Sequence, residues 1–303
     1  MKQKFFVTGG AGFIGSHLVD RLIGLGEVTV FDRVIPNTPV KDRFIKGDLL
    51  DKNALSRAMK GHDVVFHLAA NPDIAKGARE PALDLNEETI ATFNVLEAMR
   101  QAKITKIVFT STSAVLGNPT IFPTPESYGP TIPTSLYGAN KLACEALICA
   151  YTHTFGFQSW IFRLANIVGS RATHGVILDF VLQLRKHPRR LVLLSNGTPQ
   201  KNYMHVSDCV DAMAYVFTHA KDQYNLFHLA TSGQTTVAKI AQIVIHTMGL
   251  KDVTIQKGKT KYGWAGDVTV MELDTTRLRS LGWKPRYSST DAVRLAAKEL
   301  CQT

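Results

Sequence analysis

Tyr137 and Lys141, four positions apart in "SLYGANK" (residues 135–141), are a pair whose types and spacing suggest proton chemistry. On a helix this spacing puts both side chains on one face, about one turn apart, so an ammonium can stand beside a phenol. The same pair also occurs on ordinary amphipathic helices, as a half-buried ring beside a solvated cation. A phenol titrates near pH 10, so a base useful at neutrality needs a drop of roughly three units, about 4 kcal/mol. An ammonium about 5 Å away, at an effective dielectric near 20, supplies roughly 3 kcal/mol. Upstream, "FTSTSAVLG" (109–117) offers hydroxyls on Ser111 and Thr112 that could relay a proton.

A second constellation lies at the start of the chain. "FFVTGGAGFIGSHL" sets Gly9, Gly12 and Gly15 as GxxGxxG between an apolar run and a helical pattern, with Phe13 and Ile14 at the helix start. Glycine is required where a turn needs positive φ, where backbone must approach a pyrophosphate, and where helix packs closely on strand. The free N–H groups of the helix start then attract an anion. About twenty residues on, "EVTVFD" ends at Asp32, where a carboxylate can accept the ribose hydroxyls of an adenosine. This context predicts a dinucleotide site. Asp32 disfavours a 2′-phosphate, so NAD is the expected cofactor, although Arg33 leaves room for NADP. An oxidised nicotinamide would add the positive potential that the Tyr137 phenol still needs.

The elements that must hold these residues can be read from the apolar periodicity. The runs "KFFVTG", "EVTVFD", "DVVFHLAA" and "KIVFTST" alternate with helical patterns such as "IGSHLVDRLIGLG" and "TFNVLEAMRQA". That alternation predicts an α/β fold, a Rossmann doubly wound parallel sheet covered on both faces. After about residue 165 it loosens into long loops, with "VSDCVDAMAYVFTHA" and "TVAKIAQIVIHTMG" as later helices. The expected division is a dinucleotide-binding domain over 1–165, with 206–231 returning to it, and a smaller α/β substrate lobe mainly over 166–303. Bulk composition agrees: 303 residues at 45% hydrophobic content suffice for a full core. The N-terminal apolar run is too short for a secretory or membrane segment, so a cytoplasmic protein without membrane association is expected. Four cysteines, Cys144, Cys149, Cys209 and Cys301, lack CxxC or framework spacing, and the ten histidines lack HxxxH or HExxH, so neither disulfides nor a metal is indicated. His67 reads as the end of a buried strand. The net charge of +10 suits small anions better than nucleic acid, because no basic aromatic strand motif accompanies it.

Several motifs in order, "TGGAGFIGSH", "GDLLD", "HLAA", "STSAVLG", "YGANK", "FRLANIVG", "GTPQKNYMHVSD" and "GDVTVMELDTTRLRSLGWKP", resemble the extended short-chain dehydrogenase/reductase family, in its nucleotide-sugar epimerase/dehydratase branch. The resemblance runs nearly end to end. It implies that Asp48 and Leu49 meet the adenine, that Leu68, Ala69 and Ala70 lie along the dinucleotide with Thr110 beside it, and that Tyr137 and Lys141 are the YxxxK pair. It also implies that the catalytic hydroxyl is Thr112, with Ser111 its nearer competitor. Asn166 matches a sugar-diphosphate asparagine, and "HGVI" with Val176 leads to the nucleobase pocket. Lys201 and Tyr203 match an arginine and an aromatic, and Asp267 a ribose acceptor.

The same resemblance bears on the reaction. The branch's dehydratases have adjacent acidic residues after the catalytic hydroxyl, and its decarboxylases commonly a glutamate nearby; here Ser113 and Ala114 stand there. A 4-epimerase acting on a UDP-sugar is therefore expected, working through a transient 4-keto sugar without net redox. Departures are Lys201 for arginine, Trp264 for a second phosphate arginine, Leu116 for tyrosine, and Glu88 at a usual asparagine. A 4,6-dehydratase or reductase with the same triad is the alternative, and outside enzymes an NAD-sensing or RNA-associated Rossmann protein. The family often dimerises through a four-helix bundle, which "TFNVLEAMRQA" and "NKLACEALICAYTHTF" could supply as a homodimer.

Overall fold

Each strand–helix repeat contributes one parallel strand and one covering helix. In the computed structural model, which describes residues 2–35, 43–71, 74–263 and 266–302, the first half runs β1 (Gln3–Thr8), α1 (Phe13–Leu22), β2 (Gly26–Asp32), β3 (Phe44–Lys46), α2 (Lys52–Met59) and β4 (Val64–His67). It continues through α3 (Ile74–Arg79), α4 (Pro81–Asp84), a π-helical turn (Leu85–Ile90), α5 (Ala91–Gln101), β5 (Lys106–Thr112), α6 (Leu136–Phe155) and β6 (Gln158–Leu164). The chain then crosses β7 (Asn166–Val168), α7 (Val176–Lys186), β8 (Arg190–Val192), β9 (Gln200–Lys201), β10 (Tyr203–His205) and α8 (Val206–His219). It returns as β11 (Tyr224–Leu229) and ends with β12 (Thr235–Thr236), α9 (Val237–Thr247), β13 (Thr254–Gln256), β14 (Val270–Met271), α10 (Thr276–Ser280) and α11 (Ser289–Gln302).

The central sheet has seven parallel strands in the order β11-β6-β5-β4-β1-β2-β3, the doubly wound arrangement the sequence predicts. The order turns at β1 and β4, where the strands leave a crevice beyond their C-terminal ends. Helices α1 and α8 pack one face, through Leu18, Val19, Leu22, Met213 and Phe217 on Phe5, Phe66 and Trp160. Helices α2, α5 and α6 pack the other, with Leu55, Val95, Met99 and Ile148 against Phe6, Phe109 and Ile161. A separate cluster joins α7, α9 and α11 through Phe180, Val244 and Ala296. His67 ends β4 fully buried, bonded to Thr8 at 2.7 Å and Thr92 at 3.0 Å.

Local signals set the helix ends. Asp51 caps α2 through the N–H groups of Asn53 and Ala54, and Ser135 caps α6 through Gly138. Gly156 then stops α6 at φ +70°, where a side chain would be strained. The Ser135 cap fixes where α6 begins, and hence the direction in which Tyr137 and Lys141 project.

Candidate active site

The crevice beyond β1, β2, β4 and β5 opens toward the α7–α9 side into one cleft of about 1150 Å³. Its lining includes Gly9, Gly12, Phe13, Ile14, Gly15, Asp32, Arg33, Asp48, Leu49, Leu68, Ala69, Ala70 and Thr110 from the dinucleotide reading. Thr112, Tyr137, Lys141, Asn166, Val176, Lys201, Tyr203 and Asp267 line the same space. Trp264 lies outside the described residues.

The glycine turn is shaped by close contacts. A Cβ on Gly9, at φ +71°, would fall 2.5 Å from the Ala69 nitrogen, and one on Gly15 would fall 2.0 Å from the Gly9 carbonyl. Both positions exclude side chains, the first because "HLAA" passes behind the turn and the second because α1 starts against it. Gly12 differs: it is extended, it begins α1 without a side-chain cap, and its nearest neighbour to an added Cβ is 3.3 Å away. The first N–H groups of α1 therefore face the cleft, a cradle that fits a pyrophosphate. At the far end Asp32 accepts from the Ala11 and Val34 amides at 3.0 and 3.1 Å. Those bonds hold the carboxylate at the β2 terminus while leaving lone pairs for a ribose diol, so the residues present fit NAD.

The catalytic cluster differs from expectation in its electrostatics. Thr112, at the end of β5, accepts from the Ala114 amide at 3.1 Å and stands close enough to the Tyr137 phenol to pull its pKa downward. Lys141 is 2% exposed, so the solvated-cation reading fails. Its Nζ donates to the Thr110 carbonyl at 3.0 Å and lies 4.8 Å over the Phe109 ring and 5.9 Å from the Tyr137 ring centroid. Drawn to that carbonyl, the ammonium faces the tyrosine ring from close range. Burial first, and the charge of Glu88 second, push Tyr137 above its ordinary value, with Thr112 opposing them.

Which hydroxyl faces the phenol is decided about two turns further along α6. Ser111 Oγ donates to Glu145, which also receives Arg163 Nη2 at 2.8 Å and Nε at 3.1 Å, all three side chains being buried. Ser111 is thereby committed inside the sheet, and Thr112 is left to Tyr137. Glu88, at the position that departs from the family pattern, is buried with neither carboxylate oxygen hydrogen-bonded, and its pKa is raised to about 8, chiefly by desolvation.

On the opposite wall Lys201 Nζ and Asp267 Oδ1 form a 2.8 Å ion pair, and Asp267 Oδ2 accepts from the Gly263 amide. Asp267, the expected ribose acceptor, holds Lys201 and the turn at Gly263 with one bond on each oxygen, which leaves lone pairs free, as at Asp32. Tyr203 is buried and its phenol is pushed upward by desolvation. Asn166 opens β7 with its amide on the Asn202 carbonyl at 3.3 Å, and Val176 is the first residue of α7. Sequence reasoning missed Glu87, which lines the cleft and pairs with Arg33 at 2.9 Å, and exposed Leu194 on the α7 side. No motif marks either; a carboxylate on the turn before a helix pattern was the available hint for Glu87.

The sequence profile of the NAD dependent epimerase/dehydratase family matches residues 5–229. A UDP-galactose 4-epimerase crystal structure is 37% identical, superposes with a TM-score of 0.88, and is matched over 99% of both chains. The UDP-glucose 4-epimerase of Thermotoga maritima, solved with UDP-glucose, is 28% identical with a TM-score of 0.87 over 99% of both chains. The UDP-glucose 4-epimerase of Lacticaseibacillus casei is 28% identical over 95% of this chain and 93% of its own. With the glycine cradle, the acid after β2 and the YxxxK helix placed around one cleft, this chain belongs to the NAD-dependent epimerase/dehydratase family.

Proposed function

We propose that the chain is an NAD-dependent epimerase that inverts C4 of a UDP-linked sugar. The observation that carries this reading is the single cleft, in which a dinucleotide cradle meets the Thr112–Tyr137 hydroxyl pair and faces a cation, Lys201, on the far wall. When bound, NAD supplies a ring that takes a hydride from a sugar carbon and returns it, so net redox is zero. Thr112 bonds the sugar O4 and passes its proton to Tyr137, and the same pair returns that proton to the product hydroxyl. Burial and Glu88 keep the Tyr137 phenol protonated in the protein alone, and positive charge beside it would favour the phenolate that takes the proton. Lys141, anchored on Thr110, holds the tyrosine helix against β5. Lys201 neutralises a diphosphate as a point charge, giving up part of its bond to Asp267. Ser113 and Ala114 follow Thr112 without a carboxylate, which favours hydride return over elimination of water.

The division of labour follows the two walls, residues 1–165 with 206–231 for the dinucleotide and mainly 166–303 for the sugar nucleotide. The enzyme works as a homodimer: Leu85, Ile90 and Phe93, on the π-turn and α5, and Leu136 and Phe155, on α6, are exposed apolar side chains suited to a helical interface. Its place is the cytoplasm, where its free cysteines stay reduced. The test is incubation with UDP-hexoses, UDP-N-acetylhexosamines and UDP-uronic acids, read by NMR. C4 inversion without NADH accumulation is expected; a persistent 4-keto sugar overturns the reading in favour of a dehydratase.

A further inference from the structure

Glu88 is 1% exposed, and among the described residues neither of its carboxylate oxygens has a hydrogen-bond partner. A buried charge left in that state costs several kcal/mol, so it persists only neutralised or for a reason. The side chain stands on the π-turn Leu85–Ile90, a distortion that recurs at functional sites, packed on α4, α5 and α6. From α4 it faces Asp84, itself fully buried with one oxygen on Asn71 and the other unpartnered. From its own turn comes Glu87, which pairs with Arg33. From α6 come Tyr137, Lys141 and Cys144, each within electrostatic reach. The ionisable residues of α5, Glu97 and Arg100, pair with each other near its far end. Lys141 thus favours a Glu88 carboxylate, while desolvation, Asp84 and Glu87 oppose it, and desolvation is the largest of these.

We propose that Glu88 is a positioning residue that governs Tyr137 through its own proton. As a neutral acid it leaves the phenol free to ionise, and as a carboxylate it holds the phenol protonated. The geometry supports both halves: among the described residues no hydrogen bond stabilises the carboxylate, and the turn that carries it packs on α6, which bears the phenol. A tyrosine base by itself gains activity as pH rises. Here ionisation of Glu88 at about pH 8 works against that gain, so C4 inversion rises less on the alkaline side than it would without the Glu88 charge.

The proposal rests on Tyr137 as the acid/base, and its test separates the two ideas. In the NAD-loaded enzyme, infrared spectroscopy should show a carboxylic-acid band that disappears with rising pH and is missing in Glu88→Gln. Ultraviolet phenolate titration, with Tyr137→Phe as the subtraction, should place the Tyr137 midpoint lower in Glu88→Gln than in the unmodified chain. The ratio of inversion rates, Glu88→Gln over unmodified, should then rise roughly tenfold between about pH 6 and about pH 9, the equivalent of one pKa unit. Glu88→Asn should shift the phenolate midpoint the same way and stands in if the glutamine variant does not fold. An unchanged phenolate midpoint in the folded variant overturns the proposal. Should no inversion occur in any variant while the infrared band and midpoint shift appear, the Glu88–Tyr137 coupling holds and the epimerase reading fails.

Discussion

Helix α6 brings together two buried carboxylates of opposite character, one on the helix and one on the turn packed against it. On one flank Glu145, 4% exposed, is saturated: Arg163 grips it through two nitrogens and Ser111 donates a third bond. On the other Glu88, 1% exposed, has no side-chain hydrogen bond among the described residues. Burial is alike, so partnership accounts for the contrast. A saturated carboxylate acts as a fixed brace, while an orphaned one holds its proton and stays responsive to pH. The braced flank also disposes of Ser111, which is why Thr112 alone is left beside Tyr137.

The largest effect expected belongs to the residue between the two flanks. Tyr137→Phe should reduce C4 inversion by about 10²- to 10⁴-fold while cofactor retention, followed by mass spectrometry of released ligand, persists. Unchanged activity would remove the reason for comparing the flanks at all. Next comes the brace. Arg163→Met should destabilise the fold by about 3–5 kcal/mol in urea denaturation, since Glu145 is left charged and buried, whereas Arg163→Met with Glu145→Leu should recover much of that loss. Equal stability of single and double variants would mean that Glu145 is not the brace described.

The orphaned flank should show in the pH dependence of stability. The folded pKa of Glu88, about 8, lies above the ordinary carboxylate value of 4.5, so the native state keeps a proton that the unfolded chain has lost between those limits. Its stability contribution is therefore complete below pH 4.5 and lost as pH rises toward about 8. Glu88→Gln should remove about 1.4 kcal/mol per pH unit of that downward slope, measured by denaturation at several pH values. Parallel slopes for the two chains would place the Glu88 proton elsewhere.

The smallest effect belongs to Glu87, one residue earlier, whose pairing with half-exposed Arg33 is a surface-type ion pair of about 0–1 kcal/mol. Glu87→Gln should release Arg33 and improve NADP binding by a few-fold in calorimetry, with Asp32 still favouring NAD. A loss of NAD affinity larger than any gain for NADP would instead assign Glu87 to the cofactor itself.

Legibility from sequence followed the range of the interactions. The strand runs, the glycine turn, Asp32 and the YxxxK helix rest on periodicity and turn chemistry, which act within a few residues, and the structure reproduces their elements. His67 was equally readable, because an apolar run ending in a lone histidine fits a strand end. The choice between Ser111 and Thr112 was not settled by residue types, since both are hydroxyls on adjacent positions of one strand. Glu145 and Arg163, which settle it, lie 34 and 52 positions downstream of Ser111 and carry no motif. The upward push on Tyr137 has the same origin, because its burial and the nearness of Glu88 arise only once the π-turn and β5 are packed on α6.

By itself the sequence determined the order of strands and helices, the cofactor cradle and the spacing that brings a phenol near an ammonium, because backbone conformation and apolar periodicity are local properties. Tertiary structure decided which carboxylate is paired and which is orphaned, where the Lys141 proton donors point, and that Asp267 is tied to Lys201 across 66 positions of chain. Those outcomes depend on desolvation and on partners from other elements. Neither exists until the chain has folded.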